Sequence, residues 1–356
     1  MEKELRLMKG NEAVAEAAIR AGADGYFGYP ITPQSEILEY LMEANPSETT
    51  GMVVLQAESE VAAINMVYGG AACGKKVMTS SSSPGISLKQ EGISYIAGAE
   101  LPCLIVNVVR GGPGLGTIQP AQSDYFQSTK GGGHGDCHLI VLAPASVQEM
   151  ADFVDLSFEL AFKYRNPVMM LSDGAIGQMM EKVYLGPQKE RSKTFPEWAT
   201  TGKPPTRERN IITSLDLDPN AQELFNIKLV AKYDEIREKE VRYEEFQCED
   251  AEYLLVAYGT SARVCQKSVQ IARQQGIKVG LLRPITLFPF PSKRINALAG
   301  MIKGFLSVEM SAGQMVEDVL LAVNGKAPVY HFGRMGGIVT TPEEVVENLK
   351  SKFIGD

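Results

Sequence analysis

The sequence predicts an α/β protein built from two doubly wound, mostly parallel-sheet domains joined by an irregular and helical arm, and three observations lead there. Helix-like and strand-like stretches alternate from about residue 9 to 185 and again from 250 onward. Runs of strand length at 104–109, 139–142 and 168–171 are apolar almost throughout, as strands covered on both faces must be. Between the two alternating regions the composition shifts: Pro187, Pro196, Pro204 and Pro205 interrupt the chain, and a charged helical stretch follows from about 220 to 242. The expected division is 1–185, 186–249 and 250–356.

In the first domain a strand over 25–29 runs into Tyr29-Pro30-Ile31-Thr32-Pro33. The two prolines stiffen the chain around Thr32 at a strand's carboxyl end, where open α/β sheets hold their ligands. Thr32 reads equally as the cap of a helix beginning at Pro33. Next, Glu60 opens a helix rich in small and apolar residues, Val61, Ala62, Ala63, Ile64 and Met66, followed by Gly69, Gly70 and Gly74. That composition predicts a mostly buried helix carrying a buried carboxylate at its start, although Glu58 and Glu60 both also suit the positive end of a helix dipole. A short strand at 77–78 then delivers Ser80, Ser81, Ser82, Ser83, Pro84 and Gly85 to a turn rich in hydroxyls and amides.

The apolar strand at 104–109 ends in Arg110 and the loop Gly111-Gly112-Pro113-Gly114-Leu115-Gly116. A guanidinium there can grip a carboxylate bidentately, or pair with a neighbouring acid for structural reasons. The loop lacks the lysine and hydroxyl of a phosphate-binding P-loop. A second glycine loop carries His134, Asp136, Cys137 and His138, without the registration of a metal site, and is expected near the active site. In the last domain strands are expected at 253–258, 278–282, 305–308 and 329–332. Helices intervene up to about 275 (capped by Thr260 or Ser261) and near 292–298, 314–323 and 342–352.

A chain of 356 residues, 44% hydrophobic, can bury a large core. Its 35 basic and 43 acidic side chains give a net charge of -8, which argues against nucleic acid. The cysteines at 73, 103, 137, 248 and 265 form no C-x-x-C pair, so neither a disulfide framework nor a zinc or iron–sulfur site is indicated. No apolar run approaches a membrane span, and the start lacks the apolar core of a signal peptide, so a cytoplasmic protein is expected.

Tyr29-Pro30-Ile31-Thr32-Pro33, Ala57-Glu58-Ser59-Glu60-Val61-Ala62-Ala63-Ile64-Asn65 and Arg110-Gly111-Gly112-Pro113, with Leu287-Phe288-Pro289-Phe290-Pro291 later, together resemble the alpha subunit of 2-oxoacid:ferredoxin oxidoreductases. The resemblance covers nearly the whole chain and is nearest to the 2-oxoisovalerate (3-methyl-2-oxobutanoate) branch. It implies a thiamine-diphosphate pyrimidine-binding domain, then a transketolase C-terminal-like domain, and oxidative decarboxylation of a 2-oxoacid to an acyl-coenzyme A with ferredoxin as electron acceptor. It assigns Glu60 to N1′ of the cofactor's aminopyrimidine, where burial strengthens the hydrogen bond. Thr32 and Arg110 would hold the substrate carboxylate, and Pro30, Ile31, Ser82 and Ser83 would line the cofactor site.

The Gly-Asp-Gly and following Asn that sign a metal-bound pyrophosphate are missing: Ser172-Asp173-Gly174 comes nearest, and the next asparagine is Asn210. The resemblance therefore places Mg2+ and the pyrophosphate-binding domain on a beta subunit, and the iron–sulfur clusters on further subunits of gamma and ferredoxin-like type. The thiamine site would lie between chains. Two alternatives stay open. The substrate is 2-oxoglutarate or pyruvate, the former needing an extra cation for which His134 and Lys130 are the candidates; or the chain is a non-catalytic assembly subunit.

Overall fold

The computed structural model describes residues 4–355. Strand β1 (Glu4–Lys9) leads into α1 (Gly10–Arg20), β2 (Gly25–Gly28), α2 (Ser35–Ala44), the single turn α3 (Pro46–Thr49), β3 (Val53–Gln56), α4 (Glu60–Ala72), β4 (Val77–Ser81), α5 (Ser83–Gly98) and β5 (Cys103–Val109). Then come α6 (Tyr125–Thr129), β6 (Ile140–Leu142), α7 (Val147–Tyr164), β7 (Pro167–Asp173), α8 (Gly174–Gln178) and β8 (Met180–Leu185). The arm contributes α9 (Pro219–Lys239) and β9 (Tyr243–Phe246). The remainder is β10 (Tyr253–Val256), α10 (Gly259–Gln274), β11 (Val279–Pro284), β12 (Thr286–Phe288), α11 (Ser292–Leu298), β13 (Gly304–Glu309), α12 (Met315–Val323), β14 (Val329–Gly333) and α13 (Pro342–Phe353).

The first sheet has the order β12-β6-β7-β5-β4-β2-β3, all parallel except the β12–β6 pair. Every residue of β5 and β7 is buried, which is why their sequences show no alternation. The second sheet runs β14-β13-β10-β11-β9, with only β9 antiparallel. Two pairings cross the expected domain limits: β9 of the arm completes the second sheet, and β12 returns to the edge of the first. A two-stranded sheet of β1 and β8, unforeseen in the sequence, covers α1 and α7.

Asp173 and Gln122 fasten the two sheets' units together. Asp173, the acid of the Ser-Asp-Gly tripeptide, caps α8 by accepting from the amides of Ala175 (3.1 Å) and Ile176 (3.2 Å). It also accepts from Thr260 N (3.1 Å) and Thr260 Oγ1 (2.7 Å) in the second unit. The helix expected to be capped by Thr260 or Ser261 instead starts at Gly259, and Ser261 donates to Gln122 Oε1 (2.7 Å). Burial pushes the Asp173 carboxyl above its usual range, and the four donors pull it back. Asp173→Ala strands those donors at once, so chemical denaturation should show a loss of about 3 kcal/mol. A loss within error of zero would contradict this role.

Candidate functional site

In order across the sheet, β5, β4, β2 and β3 are parallel neighbours, so their carboxyl ends open on one edge. Arg110 follows β5, Ser82 and Ser83 follow β4, Pro30, Ile31 and Thr32 follow β2, and Glu60 follows β3. Parallel pairing alone thus gathers into one crevice segments separated by up to 80 positions in the sequence.

Glu60 is the first residue of α4, 6% exposed, behind Ser59, whose hydroxyl accepts from Ala62 N at 3.2 Å. Glu58 is exposed instead, and so takes the bland role of a surface acid near the helix start. The Glu60 carboxylate accepts no hydrogen bond from the described residues. It lies against Gly85 of α5: a Cβ there would come within 2.7 Å of Glu60 Oε1 and 2.1 Å of Ser81 Oγ. The Ser81 and Ser82 hydroxyls are buried without partners, as is Arg110 Nε. This edge therefore holds unsatisfied polar atoms that a bound polar ring can satisfy.

Arg110, 9% exposed, donates from Nη1 to Thr32 O (3.0 Å) and from Nη2 to Leu115 O (3.0 Å). It makes no ion pair with a described residue, so the structural salt bridge that the sequence left open is not formed. Ser83 Oγ accepts from Arg110 N at 3.2 Å, joining the start of α5 to the end of β5. Thr32 does not cap a helix either; α2 begins at Ser35 behind Gln34, and Thr32 is exposed beside Pro30. Sequence reasoning missed Gln34, fully buried, which accepts from Ser80 Oγ (2.5 Å) and donates to Tyr29 O (3.1 Å), holding the proline loop to β4. Its signal was a lone amide just after two prolines.

Two expectations are corrected. Helix α4 is only half buried: Val61 is 47% and Met66 36% exposed, and of the glycines that suggested burial Gly69 is exposed in open space while Gly70 packs on Val77 and Phe27. The His134 loop packs at the opposite end of α5, with His134 N on Ser94 Oγ (3.1 Å), about 14 Å along the helix from Gly85. Among the described residues no three His, Cys, Asp or Glu side chains are placed to hold a metal ion, and no helix is long and apolar enough to cross a membrane.

A cleft of about 640 Å3 opens beside the crevice, lined by Ser83, Pro113 and Asp124 on one side and Met310, Gln314 and Met335 of the second unit on the other. Burial raises the Asp124 carboxyl above its usual range, partly offset by Asn107 Nδ2 at 2.9 Å and by Ser83.

This architecture has known counterparts. Residues 16–251 match the thiamine-diphosphate-binding family of pyruvate flavodoxin/ferredoxin oxidoreductases, and residues 251–345 match pyruvate:ferredoxin oxidoreductase core domain II. The ketoisovalerate oxidoreductase subunit VorB of Methanothermobacter thermautotrophicus is 53% identical over 97% of this chain and 97% of its own length. A 2-oxoglutarate:ferredoxin oxidoreductase from Magnetococcus marinus, solved with 2-oxoglutarate, coenzyme A and succinyl-CoA, superposes with a TM-score of 0.87 at 29% identity. That likeness covers 98% of this chain and 65% of the other. A split-gene transketolase shares the fold alone, with a TM-score of 0.61 at 13% identity over 97% of both chains. A thiamine-diphosphate-binding match over the crevice-bearing sheet, a core-domain-II match over the rest and a relative more than half identical end to end make this chain a subunit of the 2-oxoacid:ferredoxin oxidoreductase family.

Proposed function

We propose that the chain supplies the aminopyrimidine half of a shared thiamine diphosphate site in an enzyme that converts 3-methyl-2-oxobutanoate to its acyl-coenzyme A. The observation that carries this reading is the Glu60 carboxylate, shielded from water, facing a glycine and accepting no hydrogen bond from the described residues. A protonated ring nitrogen can donate to that carboxylate, and the buried Ser81 and Ser82 hydroxyls, without partners among the described residues, lie on the same edge. Bound thiamine diphosphate supplies the electron sink through which a 2-oxoacid loses carbon dioxide.

The chain's own residues bind, orient and handle one proton. Glu60 hydrogen-bonds the pyrimidine N1′ and selects its tautomer. Pro30, Ile31, Ser82 and Ser83 form the walls. Arg110, already fixed by two carbonyls, directs its remaining N–H groups with Thr32 at the substrate carboxylate; being tethered beforehand, it loses little freedom on binding. The pyrophosphate, Mg2+ and iron–sulfur clusters belong to beta, gamma and ferredoxin-like partner chains, with ferredoxin receiving the electrons. The exposed Val61 and Met66 face of α4 suits contact with such a partner.

The branched substrate is favoured over 2-oxoglutarate by the cleft. Its walls offer Met310, Met335 and Pro113 with an acid, Asp124, where a second carboxylate would need a cation. Lys130 is paired with Asp318, and His134 sits at the far end of α5. Steady-state rates of the copurified complex on several 2-oxoacids, with ferredoxin or a dye as acceptor, test the assignment. The branched acid should give the highest kcat/KM, and a preference for 2-oxoglutarate would overturn the substrate. The chain purified alone with thiamine diphosphate and Mg2+ should not turn over, and decarboxylation by it would overturn the shared site.

A further inference from the structure

Lys89 is fully buried. It lies in the stripe Ile86, Lys89, Ile93, Ile96 of α5, all buried, where helical periodicity calls for an apolar residue. Its Nζ donates to Thr79 Oγ1 (2.6 Å) and Ser80 O (3.1 Å), both on β4 and both neutral. A buried ammonium held by neutral oxygens is an arrangement that a methionine or leucine would avoid, so its retention calls for a reason beyond packing.

Helix α4 packs against this stretch of α5. Gly85 lies one turn before Lys89 and receives Glu60; Gly92 lies just under one turn after and receives Ile64, a Cβ there falling 2.5 Å from Ile64 Cγ2. Glu60 and Ile64 are themselves one turn apart, so the two helices mesh with Lys89 between these layers. Burial lowers the Lys89 pKa to about 7, and Glu60 is the titratable group that pulls it back up. Tyr26 of β2, whose hydroxyl meets Ser80 Oγ at 2.7 Å, is held neutral by burial. Arg110 and Asp124 reach α5 only at Ser83.

We infer that Lys89 is a positioning residue for Glu60, its buried ammonium supplying the counter-charge that holds the carboxylate against Gly85 and away from water. The inference rests on the Glu60 assignment above. It is tested on the complex copurified with its partner subunits, carrying K89M, K89R or E60Q, by calorimetric titration of thiamine diphosphate from pH 5 to 9 alongside kcat/KM over the same range.

E60Q should weaken thiamine diphosphate binding across the whole range. K89M should weaken it by more than tenfold below pH 7, where Lys89 carries its charge, and by less above, while K89R should stay close to the wild type. A second readout is stability. An ammonium with a lowered folded-state pKa binds fewer protons than in the unfolded chain between pH 7 and 10.5, so stability rises with pH there; K89M should abolish that rise. If K89M fails to assemble, K89Q, neutral but able to bond Thr79, decides by the same comparison of affinities below and above pH 7. A K89M profile superimposed on the wild type with E60Q defective overturns the role of Lys89 and leaves Glu60 standing. An E60Q enzyme with wild-type binding and turnover overturns both.

Discussion

Glu60→Gln in the assembled enzyme should lower turnover by about 10²–10⁴-fold. The amide keeps the size of the side chain and its place at the start of α4, but it cannot take up and return a proton. The effect should fall on kcat more than on KM, because Thr32 and Arg110, which face the substrate carboxylate in the proposed site, are untouched. No hydrogen bond from the described residues is stranded when the carboxylate becomes an amide, but the buried Lys89 ammonium loses its counter-charge, so the thermal midpoint should fall. Wild-type turnover of this variant would return the chain to the reading of an assembly subunit.

Gly85→Ala should be nearly as damaging for a different reason. The added methyl would stand 2.1 Å from Ser81 Oγ, 2.7 Å from Glu60 Oε1 and 3.1 Å from Glu60 Cγ, so the carboxylate must swing away from the place the proposed site gives it. Helix propensity runs the other way, since alanine gains about 1 kcal/mol over glycine inside a helix. We therefore expect a loss of more than tenfold in thiamine diphosphate affinity and in kcat/KM, with a thermal midpoint within a few degrees of the parent. Combining it with Ser81→Ala should not restore activity, because that relieves only the hydroxyl contact. Full activity of Gly85→Ala would show that Glu60 has room to spare and that α5 does not fix it.

The elements themselves were legible because their signals are local. Apolar runs marked β5 and β7, prolines marked the arm, and helices α9 to α13 lie within a few residues of their expected limits. Proline and glycine punctuation also marked the strand ends at Thr32, Ser82 and Arg110, which proved to be neighbours. What escaped were side chains whose role depends on another element. Thr260 and Ser261 look like caps, yet they cross to Asp173 and Gln122. The Ser-Asp-Gly tripeptide resembles a metal-site fragment, yet its acid fastens two units. Lys89 reads as a solvated charge unless the stripe it interrupts is noticed.

Consecutive residues already dictate that parallel strands lead into a carboxylate, hydroxyls and a guanidinium, since strand length, burial pattern and turn chemistry are local properties. Folding is what puts these ends on one edge, makes room for Glu60 at Gly85 and buries a lysine one turn further along α5. Those facts depend on strand order and helix meshing, which bring together residues far apart in the chain and are set by packing the whole core at once.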